Sequence, residues 1–421
     1  MSEWIDRSIT ELCVAVVDCV NKTAPSQTEP TPFKMLRTPN VRNGWVDTSN
    51  VKYVDAPTYK KWTRRMVPAP GDIILTREAP FGDVGMLRSA DRVFLGQRLV
   101  MYRPDSSECD PHFLMYSMMG PTVQAELKSL GSGSTVEHLR VPDCEKITVP
   151  CPPLSEQQKI GAVLRALDDL VENNRRRVEL LEQMARTIYR EWFVHFRYPG
   201  HADVPLVDSA LGPIPQGWSA ESASRAIAIN PRIELDRTID HPFISMGDLD
   251  ENGMSCRPSN SRRSGSGSRF ERGDTLFARI TPCLQNGKTG LVQSLDRGVV
   301  GMGSTEFIVL RGSHVGEAYT YCLARESDFR QHAIASMSGA SGRQRVRNEC
   351  FDTYIIPVPD RTLSEKFETI ATPLLDQVRT LHDENDKLGS LRDALLPKLV
   401  TGQIDVSELD LDALVSEAVA S

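Results

Sequence analysis

The same long helix pattern is written twice in this chain, and this repeat restricts the possible folds more than any other feature. The first copy begins at Pro153 with "PLSEQQKIGAVLRALDDLVENNRRRVELLEQM", and the second begins at Arg361 with "RTLSEKFETIATPLLDQVRTLHDENDKLGSLRDALL". Residues 155–193 alone would form a helix of about 58 Å at about 1.5 Å per residue. Such a helix must bury its apolar stripe, and the most economical partner is the other copy. We therefore expect an antiparallel helix pair.

Each copy carries one asparagine in a seam of apolar residues whose spacings alternate between four and three, as in coiled coils. The seams consist of Ile160, Leu164, Leu167, Val171, Asn174, Val178, Leu181, Ala185, Ile188 and Trp192, and of Phe367, Ala371, Leu374, Val378, Leu381, Asn385 and Leu388. A buried asparagine costs stability but specifies register. Asn174 and Asn385 are thus predicted to set the register of the helix pair. An ordinary dimerisation coiled coil is an alternative, although it does not require two copies in one chain.

Pro373 interrupts the second copy. A proline inside a helix removes one backbone hydrogen bond and clashes with the preceding turn. We therefore expect the second helix to be shorter than the first or bent near Pro373, and we expect Pro397 to mark its end.

The segments in front of the two helices also repeat. "PGDIILTR", ending at Arg77, matches "RGDTLFAR", ending at Arg279, and "GQRLVMYRP" resembles "STEFIVLRG". "GSGSTVEHLRVPDCEKITVPCP" then faces "GASGRQRVRNECFDTYIIPVP". The β-rich runs bounded by Gly, Pro and Asp predict short strands, with helices between them. The order of Gly-Asp turn, strands, Gly/Ser loop and long helix therefore indicates a duplicated unit of mixed α/β structure.

The expected fold class is α+β, with two globular mixed α/β domains separated by two long antiparallel coiled-coil helices in a pseudo-twofold internal repeat. The Pro/Gly segment "GPIPQGW" closes the first half, and the end of the chain is acidic. The predicted boundaries are a globular domain at 1–152, a long helix at 153–198, a linker at 199–217, a second globular domain at 218–360, a second long helix at 361–400 and an acidic tail at 401–421.

Composition narrows the class of protein. With 421 residues the chain can hold more than one core. The most apolar early run, "LCVAVVDCV", is too short to span a membrane, and the N-terminus lacks the order of a signal peptide. Nine scattered cysteines fit no zinc pattern and predict reduced, buried thiols in a cytoplasmic protein. The net charge of −7 does not exclude DNA binding, because acids are concentrated in the tail while basic residues cluster locally.

The loop "LQNGKTG" resembles the end of a phosphate-binding loop but lacks the glycine that would stand at Pro282. A nucleotide site is therefore not expected. Gln285, Asn286 and Lys288 suit a DNA groove, because glutamine and asparagine can pair with adenine and lysine with guanine or phosphate. A solvated hairpin tip is the alternative interpretation. No catalytic constellation and no metal cluster appears in the sequence, which favours a binding protein over an enzyme.

Further candidates for DNA contact lie in the basic or polar segments of the repeat. "GRQRVR" would place Arg343, Arg345 and Arg347 on one face of a strand. The matching segment in the first half is less basic. Arg77 and Arg279 recur at matched positions, which slightly favours a role in the fold. The complete set of candidates is Arg77, Ser132, Ser134, Thr135, Arg262, Arg263, Arg279, Gln285, Asn286, Lys288, Arg343, Gln344, Arg345 and Arg347.

This layout resembles the DNA-specificity subunit of type I restriction–modification systems. The matching motifs are "PCPPLSEQQKIGAVL" with "YREWFVHF", "GPIPQGW", "ARITPCLQNGKTGLV" with "GSTEFIVLR", and "LRDALLPKLVTGQIDV", in the same order over nearly the whole chain. The resemblance implies two target-recognition domains, each followed by a long helix. It also implies a spacer that sets half-sites about one DNA turn apart, roughly 34–36 Å, and therefore an asymmetric bipartite target.

The resemblance further implies a non-catalytic subunit that works in the cytoplasm, without a membrane. Its expected partners are double-stranded DNA, two methyltransferase subunits and restriction/translocase subunits. S-adenosylmethionine, used for adenine-N6 methylation, and ATP with Mg for restriction are expected in those partners and not in this chain. Trp192 and Phe193 are expected to be exposed, so that the isolated chain would be poorly soluble. The alternative is a coiled-coil scaffold that binds other proteins.

Overall fold

The structure is a computed structural model that describes residues 4–131, 137–340, 342 and 344–409. It divides into two compact units. Unit 1 comprises Met1–Val171 with Lys387–Ser421, and unit 2 comprises Glu172–Asp386.

Unit 1 is built on a six-stranded sheet. The strands in its described part are β1 Ile5–Ser8, β2 Cys13–Asp18, β3 Phe33–Leu36, β4 Val41–Arg42, β5 Gly44–Val46, β6 Lys52–Tyr53, β7 Ile73–Arg77, β8 Phe81–Met86, β9 Arg92–Leu95, β10 Leu99–Pro104 and β11 Thr148–Cys151. The helices are α1 Ile9–Leu12, α2 Ala56–Trp62, α3 Pro111–Met119, α4 Pro121–Leu130, α5 Val141–Cys144 and the long α6 Leu154–Tyr189, of which the residues from Glu172 belong to unit 2. The large sheet has the order β2-β10-β7-β8-β5-β4, a smaller sheet has the order β6-β3-β9, and β1 pairs with β11.

Unit 2 contains two four-stranded sheets. Its strands are β12 Leu206–Val207, β13 Ile214–Pro215, β14 Ser219–Ser222, β15 Ile227–Ile229, β16 His241–Ile244, β17 Asn260–Arg262, β18 Arg269–Phe270, β19 Thr275–Ala278, β20 Thr289–Leu291, β21 Gly301–Gly303, β22 Phe307–Gly312 and β23 Ile355–Val358. Its helices are α7 Ala223–Ala226, α8 Glu317–Arg325, α9 Ser327–Ala335, α10 Cys350–Thr353 and the long α11 Arg361–Leu399, of which the residues from Lys387 belong to unit 1. The sheets have the orders β15-β22-β19-β20 and β17-β16-β21-β18, and β14 pairs with β23.

The strand order of unit 2 repeats that of unit 1. The series β2-β10-β7-β8 corresponds to β15-β22-β19-β20. In the second sheet of each unit a parallel pair, β3 with β9 or β16 with β21, is joined by an antiparallel strand, β6 or β17. Each unit also has a cis peptide at the matched position, Ala79–Pro80 and Thr281–Pro282. The internal repeat predicted from the sequence is therefore confirmed at the level of topology.

The repeated Gly-Asp turn has the same role in both units. Asp72 accepts two hydrogen bonds from the Arg103 guanidinium, both of 2.7 Å, and Asp274 accepts two from Arg311, of 2.6 and 2.7 Å. Both aspartates are nearly fully buried. Their hydrogen bonds raise the pKa of Arg103 and of Arg311. Because these charge-assisted bidentate bonds join neighbouring strands of the sheet, we name them the Asp–Arg frame.

The second long helix continues through Pro373 without interruption. α11 has 39 residues, and α6 has 36 and is followed by a π-helical turn, Arg190–Val194. Pro373 therefore does not end or restart α11, which ends at Leu399, shortly after Pro397. Pro373 is exposed, while Ala371 and Leu375 on either side of it are buried. Burial of these neighbours offsets the backbone hydrogen bond that proline cannot donate.

Segments of the two long helices pack antiparallel within each unit. In unit 2 the rings of Trp192 and Phe193, at the end of the first helix, lie 5.9 and 5.0 Å from Phe367 near the start of α11. In unit 1 Arg392 Nη1 donates to Asp168 Oδ1 at 3.0 Å. Trp192 and Phe193 are buried, at 7% and 1% exposure. The prediction that they form an exposed apolar surface is wrong, because aromatic side chains of α8 and α11 cover them.

A buried carboxyl group also holds the second part of α6 within unit 2. Glu182 accepts hydrogen bonds from the Tyr321 hydroxyl and, at 3.0 Å, from the Met254 N–H. Burial raises the pKa of Glu182, and the hydrogen bond from Tyr321 opposes that rise. The helix is therefore attached to the domain by polar as well as apolar contacts.

Candidate nucleic-acid interface

Arg77 and Arg279 hold matched loops in the two units. The Leu139 N–H donates to the Arg77 carbonyl at 3.0 Å, and Arg77 Nη1 donates back to the Leu139 carbonyl at 3.0 Å. In unit 2 the Val346 N–H donates to the Arg279 carbonyl and Arg279 Nη2 donates to the Val346 carbonyl, both at 2.8 Å. Each arginine thus anchors the chain that leaves the Gly/Ser loop. These contacts give both side chains a structural role, and their contact with DNA stays a prediction.

The anchored segment of unit 2 displays two of the predicted arginines. Arg345 is paired in short antiparallel bridges with Ile280 and Ser338. Its side chain is 49% exposed and forms a bidentate ion pair with Glu306, with Nη2 2.6 Å from Oε1. Arg347 is also exposed, and its Nε donates to the Ser338 hydroxyl at 2.9 Å. The predicted alternation therefore places Arg345 and Arg347 at the surface while Val346 between them is buried.

Unit 1 has different side chains at the positions of this ion pair. The Arg77 N–H donates to the Arg98 carbonyl, and the Arg279 N–H donates to the Glu306 carbonyl, so that Arg98 corresponds to Glu306. Because Leu139 corresponds to Val346, His138 occupies the position of Arg345.

The charge pattern consequently differs between the two matched surfaces. Arg98 Nη2 lies 3.4 Å from Glu78 Oε1, and the Arg98 side chain is 51% exposed. Unit 1 thus presents an arginine where unit 2 presents the supporting glutamate. The backbone frame is shared, whereas the exposed chemistry is not.

A groove of about 380 Å³ lies beside these residues in unit 2. Its lining includes Arg262, the Gly265–Gly267 turn, Ser304 and Thr305, the last two directly preceding Glu306. The Arg262 guanidinium lies over the Phe243 ring, 3.5 Å from the ring centroid. Such stacking leaves the edge of the guanidinium available for hydrogen bonds. A Cβ on Gly267 would lie 1.8 Å from the Gly303 carbonyl oxygen, so the groove wall requires glycine there.

Hydrogen bonds to neighbouring segments hold the loop at 284–288 in place. Lys288 Nζ donates to the Met246 carbonyl at 2.9 Å, and Met246 also lines the groove. Asn286 Nδ2 donates to Glu251 Oε1 at 3.1 Å, while Gln285 is exposed. Arg325 Nη1 donates to the Gly287 carbonyl at 2.9 Å. The amide of Asn286 and the ammonium of Lys288 are therefore engaged within the protein.

Arg325 and Glu306 were missed in the sequence analysis. Both act on residues that are distant along the chain, and neither belongs to a basic or polar run that would mark it. Only the internal repeat could have indicated Glu306, because it directly precedes a repeated strand, at the position that Arg98 occupies in unit 1.

The remaining candidates are dispersed. Arg263 Nε lies 3.2 Å from Asp240 Oδ1, with both side chains exposed. Gln344 is tied to Thr281 by backbone hydrogen bonds, with the Thr281 N–H donating to its carbonyl at 3.1 Å. Ser132, Ser134, Thr135 and Arg343 lie outside the described residues.

Among the described residues no group of three or more His, Cys, Asp or Glu side chains is arranged to hold a metal ion. All nine cysteines are free thiols, eight of them buried. None of the helices in the described ranges is long and apolar enough to cross a membrane.

Comparison with known proteins agrees with this architecture. Residues 1–183 match the family described as "Type I restriction modification DNA specificity domain". The MjaIX specificity subunit of Methanocaldococcus jannaschii is 25% identical over 361 residues, which are 83% of this chain and 81% of that protein. The EcoAI specificity subunit of Escherichia coli is 26% identical over 47% of this chain and 35% of its own length.

The fold also resembles a solved structure. The crystal structure of a type I restriction–modification S subunit from M. genitalium aligns with 94% of this chain and 96% of its own, with a TM-score of 0.56 and 15% identity. That likeness concerns the fold alone. The family match over residues 1–183 and the relative aligned over most of both chains make this chain similar to the DNA specificity subunits of type I restriction–modification systems.

Proposed function

We propose that this chain recognises an asymmetric, bipartite DNA target, with unit 1 reading one half-site and unit 2 reading the other. The observation that carries the proposal is the combination of a constant frame and divergent surfaces. Asp72–Arg103 and Asp274–Arg311 repeat almost atom for atom, whereas the matched surface positions hold Arg98 and His138 in unit 1 but Glu306 and Arg345 in unit 2. Two copies of one scaffold with different exposed donors and acceptors suit two different base sequences.

The chain would supply recognition and not catalysis. We propose that modification subunits, two per complex, bind S-adenosylmethionine and methylate adenine at N6. Restriction subunits that use ATP and Mg²⁺ would join the complex for cleavage, and the assembly would act on cellular DNA in the cytoplasm. The names of the relatives, which are specificity subunits of type I restriction enzymes, support this division of labour.

Methylation mapping tests the proposal. The chain is expressed with its cognate modification subunit, in a host without its own adenine methylation, and N6-methyladenine is located across the genome. We expect one motif with two short specified parts separated by a fixed number of unspecified bases. A soluble complex that methylates no defined motif would refute the proposal and favour a scaffold that binds other proteins.

Salt dependence gives a second discrimination between recognition and scaffolding. Binding to a DNA duplex carrying the mapped motif should weaken steeply as salt increases, because phosphate contacts release counterions. A scaffold whose basic side chains only face solvent would bind such a duplex weakly, and its affinity for protein partners would not follow the DNA sequence.

A further inference from the structure

The ion pair between Arg345 and Glu306 leaves one edge of the guanidinium free. Arg345 Nε donates to both carboxylate oxygens at 3.0 and 2.9 Å, and Nη2 donates to Oε1 at 2.6 Å. A guanidinium has five N–H donors, and this arrangement uses the Nε–H and one N–H of Nη2. In the part of the chain that the structure describes, Nη1 has no hydrogen-bond partner. Two parallel donors on the end edge therefore remain for a ligand.

The backbone of Arg345 is also fixed. The Arg345 N–H donates to the Ser338 carbonyl at 3.0 Å, and the Ser338 N–H donates to the Arg345 carbonyl at 3.1 Å. The next residue, Val346, is buried and bonded twice to Arg279. An arginine held at both its backbone and its head group loses little conformational freedom on binding, which increases affinity and selectivity.

Stability of the fold does not explain the pair. Both residues are partly exposed, at 49% and 21% of their side chains, and exposed ion pairs contribute little to stability. Unit 1 keeps the Asp–Arg frame but has Arg98 and His138 at the two matched positions. The pair thus belongs to the surface that varies between units and not to the scaffold that they share.

The chemistry of the pair selects a base over a phosphate. The carboxylate of Glu306 neutralises the guanidinium and repels a nearby phosphate group, so the pair is a poor site for the DNA backbone. The two end-edge donors match the O6 and N7 acceptors of guanine in the major groove, which is the commonest bidentate contact of arginine with a base. Adenine offers one acceptor and one donor there, and therefore fits worse.

We propose that Arg345 donates two hydrogen bonds to O6 and N7 of one guanine in the half-site read by unit 2, with Glu306 as the residue that positions it. This inference rests on the proposed function and specifies one base contact within it. Glu306 acts through Arg345 and need not contact DNA.

The test uses the complete chain in complex with its modification subunit and repeats the methylation map for Arg345→Gln, Arg345→Lys and Glu306→Ala. For Arg345→Gln we expect the preference for guanine at one position of one half-site to fall by about 5- to 150-fold. The other half-site and the spacing should not change. Arg345→Lys should keep affinity but lose most of the preference, because an ammonium group cannot make the planar bidentate contact.

Glu306→Ala separates a positioning role from a structural one. Without the carboxylate, Arg345 is mobile and more attractive to phosphate. Discrimination at the same guanine should therefore fall while affinity for DNA of unrelated sequence stays equal or rises. A merely destabilised unit 2 would lose affinity for all sequences together.

Arg197→Gln is the matched control, since Arg197 is 57% exposed and its Nη2 pairs with Glu191 at 2.7 Å. This variant should give the motif of the unchanged protein. If Arg345→Gln leaves a mapped motif unaltered, or relaxes every position of a half-site together, the assignment of Arg345 is overturned while the proposed function stands. If the unchanged protein itself gives no motif, the proposed function fails, and this inference fails with it.

Discussion

Arg279 and Val346 are joined by two reciprocal hydrogen bonds, in which each residue's carbonyl accepts from the other, at 2.8 Å in both directions. Arg77 and Leu139 repeat this arrangement at 3.0 Å. Both links begin at the strand that follows a Gly-Asp turn and end just after a Gly/Ser loop. They therefore fix the position where the chain returns from the candidate DNA surface to the core.

Arg279→Met should loosen that return point in unit 2 alone. A hydrogen bond from a charged donor contributes about 1.5–3 kcal/mol, so local opening at Val346 should become easier by a similar amount. Hydrogen exchange followed by mass spectrometry should show faster exchange in the peptide containing Val346. Arg77→Met is the reciprocal control, which should affect the Leu139 peptide only. Unchanged exchange at Val346 in Arg279→Met would contradict the anchoring role.

Asp274→Ala should destabilise unit 2 strongly, because it leaves the Arg311 guanidinium without its bidentate partner and the Glu271 N–H without its acceptor. Removal of one partner from a buried ion pair costs about 3–5 kcal/mol, and the partial exposure of Arg311 places the expected loss near the lower value. The loss in free energy of unfolding is measured by hydrogen exchange at those amides of β19 and β22 that open only on global unfolding. The double variant Asp274→Leu with Arg311→Met should recover much of the loss, and failure to do so would show that charge is not the cause.

The two seam asparagines should be energetically coupled. Asn174 precedes Trp192 by the same number of residues as Asn385 follows Phe367. The rings of Trp192 and Phe367 are in contact. In an antiparallel pair of helix segments the two asparagines therefore lie opposite each other. In the structure Asn174 Nδ2 and Asn385 Oδ1 are buried without a hydrogen-bond partner, a donor on one helix and an acceptor on the other.

A small rotation of either amide would pair them. Asn174→Leu or Asn385→Leu alone should therefore destabilise the helix pair, while the double variant should be at least as stable as the unchanged chain. We expect a coupling energy of about 0.5–3 kcal/mol in a double-mutant cycle of urea denaturation. Strictly additive effects would contradict a role of the two amides in register.

The contribution of Glu182 should depend on pH. Burial raises its pKa above the ordinary value of 4.5, so above that pH the folded chain retains a proton that the unfolded chain has released. Stability then falls as pH rises through the raised folded pKa. Relative to the unchanged protein, Glu182→Gln should gain stability as pH increases above 4.5. Urea midpoints at each pH measure the difference, and a difference that does not change with pH would contradict a buried Glu182 that keeps its proton.

Much of the scaffold could be predicted because its signals are local. The runs "DIILTR", "RLVMYR", "DTLFAR" and "EFIVLR" form β7, β10, β19 and β22, and every end agrees within one residue. The effect of Pro373 on α11 was not predictable, because the loss of a backbone hydrogen bond is a local effect. The burial of Ala371 and Leu375 that offsets this loss depends on tertiary packing. The burial of Trp192 and Phe193 was not predicted, because the rings that cover them, including Tyr319 and Phe367, come from distant segments of the chain.

The candidate site was predictable only as a set of residue types. The sequence indicated Arg345 from its basic run, but its partner Glu306 is 39 residues away and is brought close by the bridge between Ile280 and Arg345. Lys288 and Asn286 looked free in the sequence, yet their head groups bind Met246 and Glu251. The pairing of side chains across strands depends on register, which composition does not specify.

The anchors at Arg77 and Arg279 bind main-chain carbonyl groups, and this has a consequence for evolution. A carbonyl is present whichever amino acid occupies position 139 or 346, so mutations there and in the adjoining loop leave the acceptor in place. The protein can therefore accumulate changes on the candidate DNA surface at little cost in folding. Selection for a new target can act on one unit while the other keeps the inherited specificity.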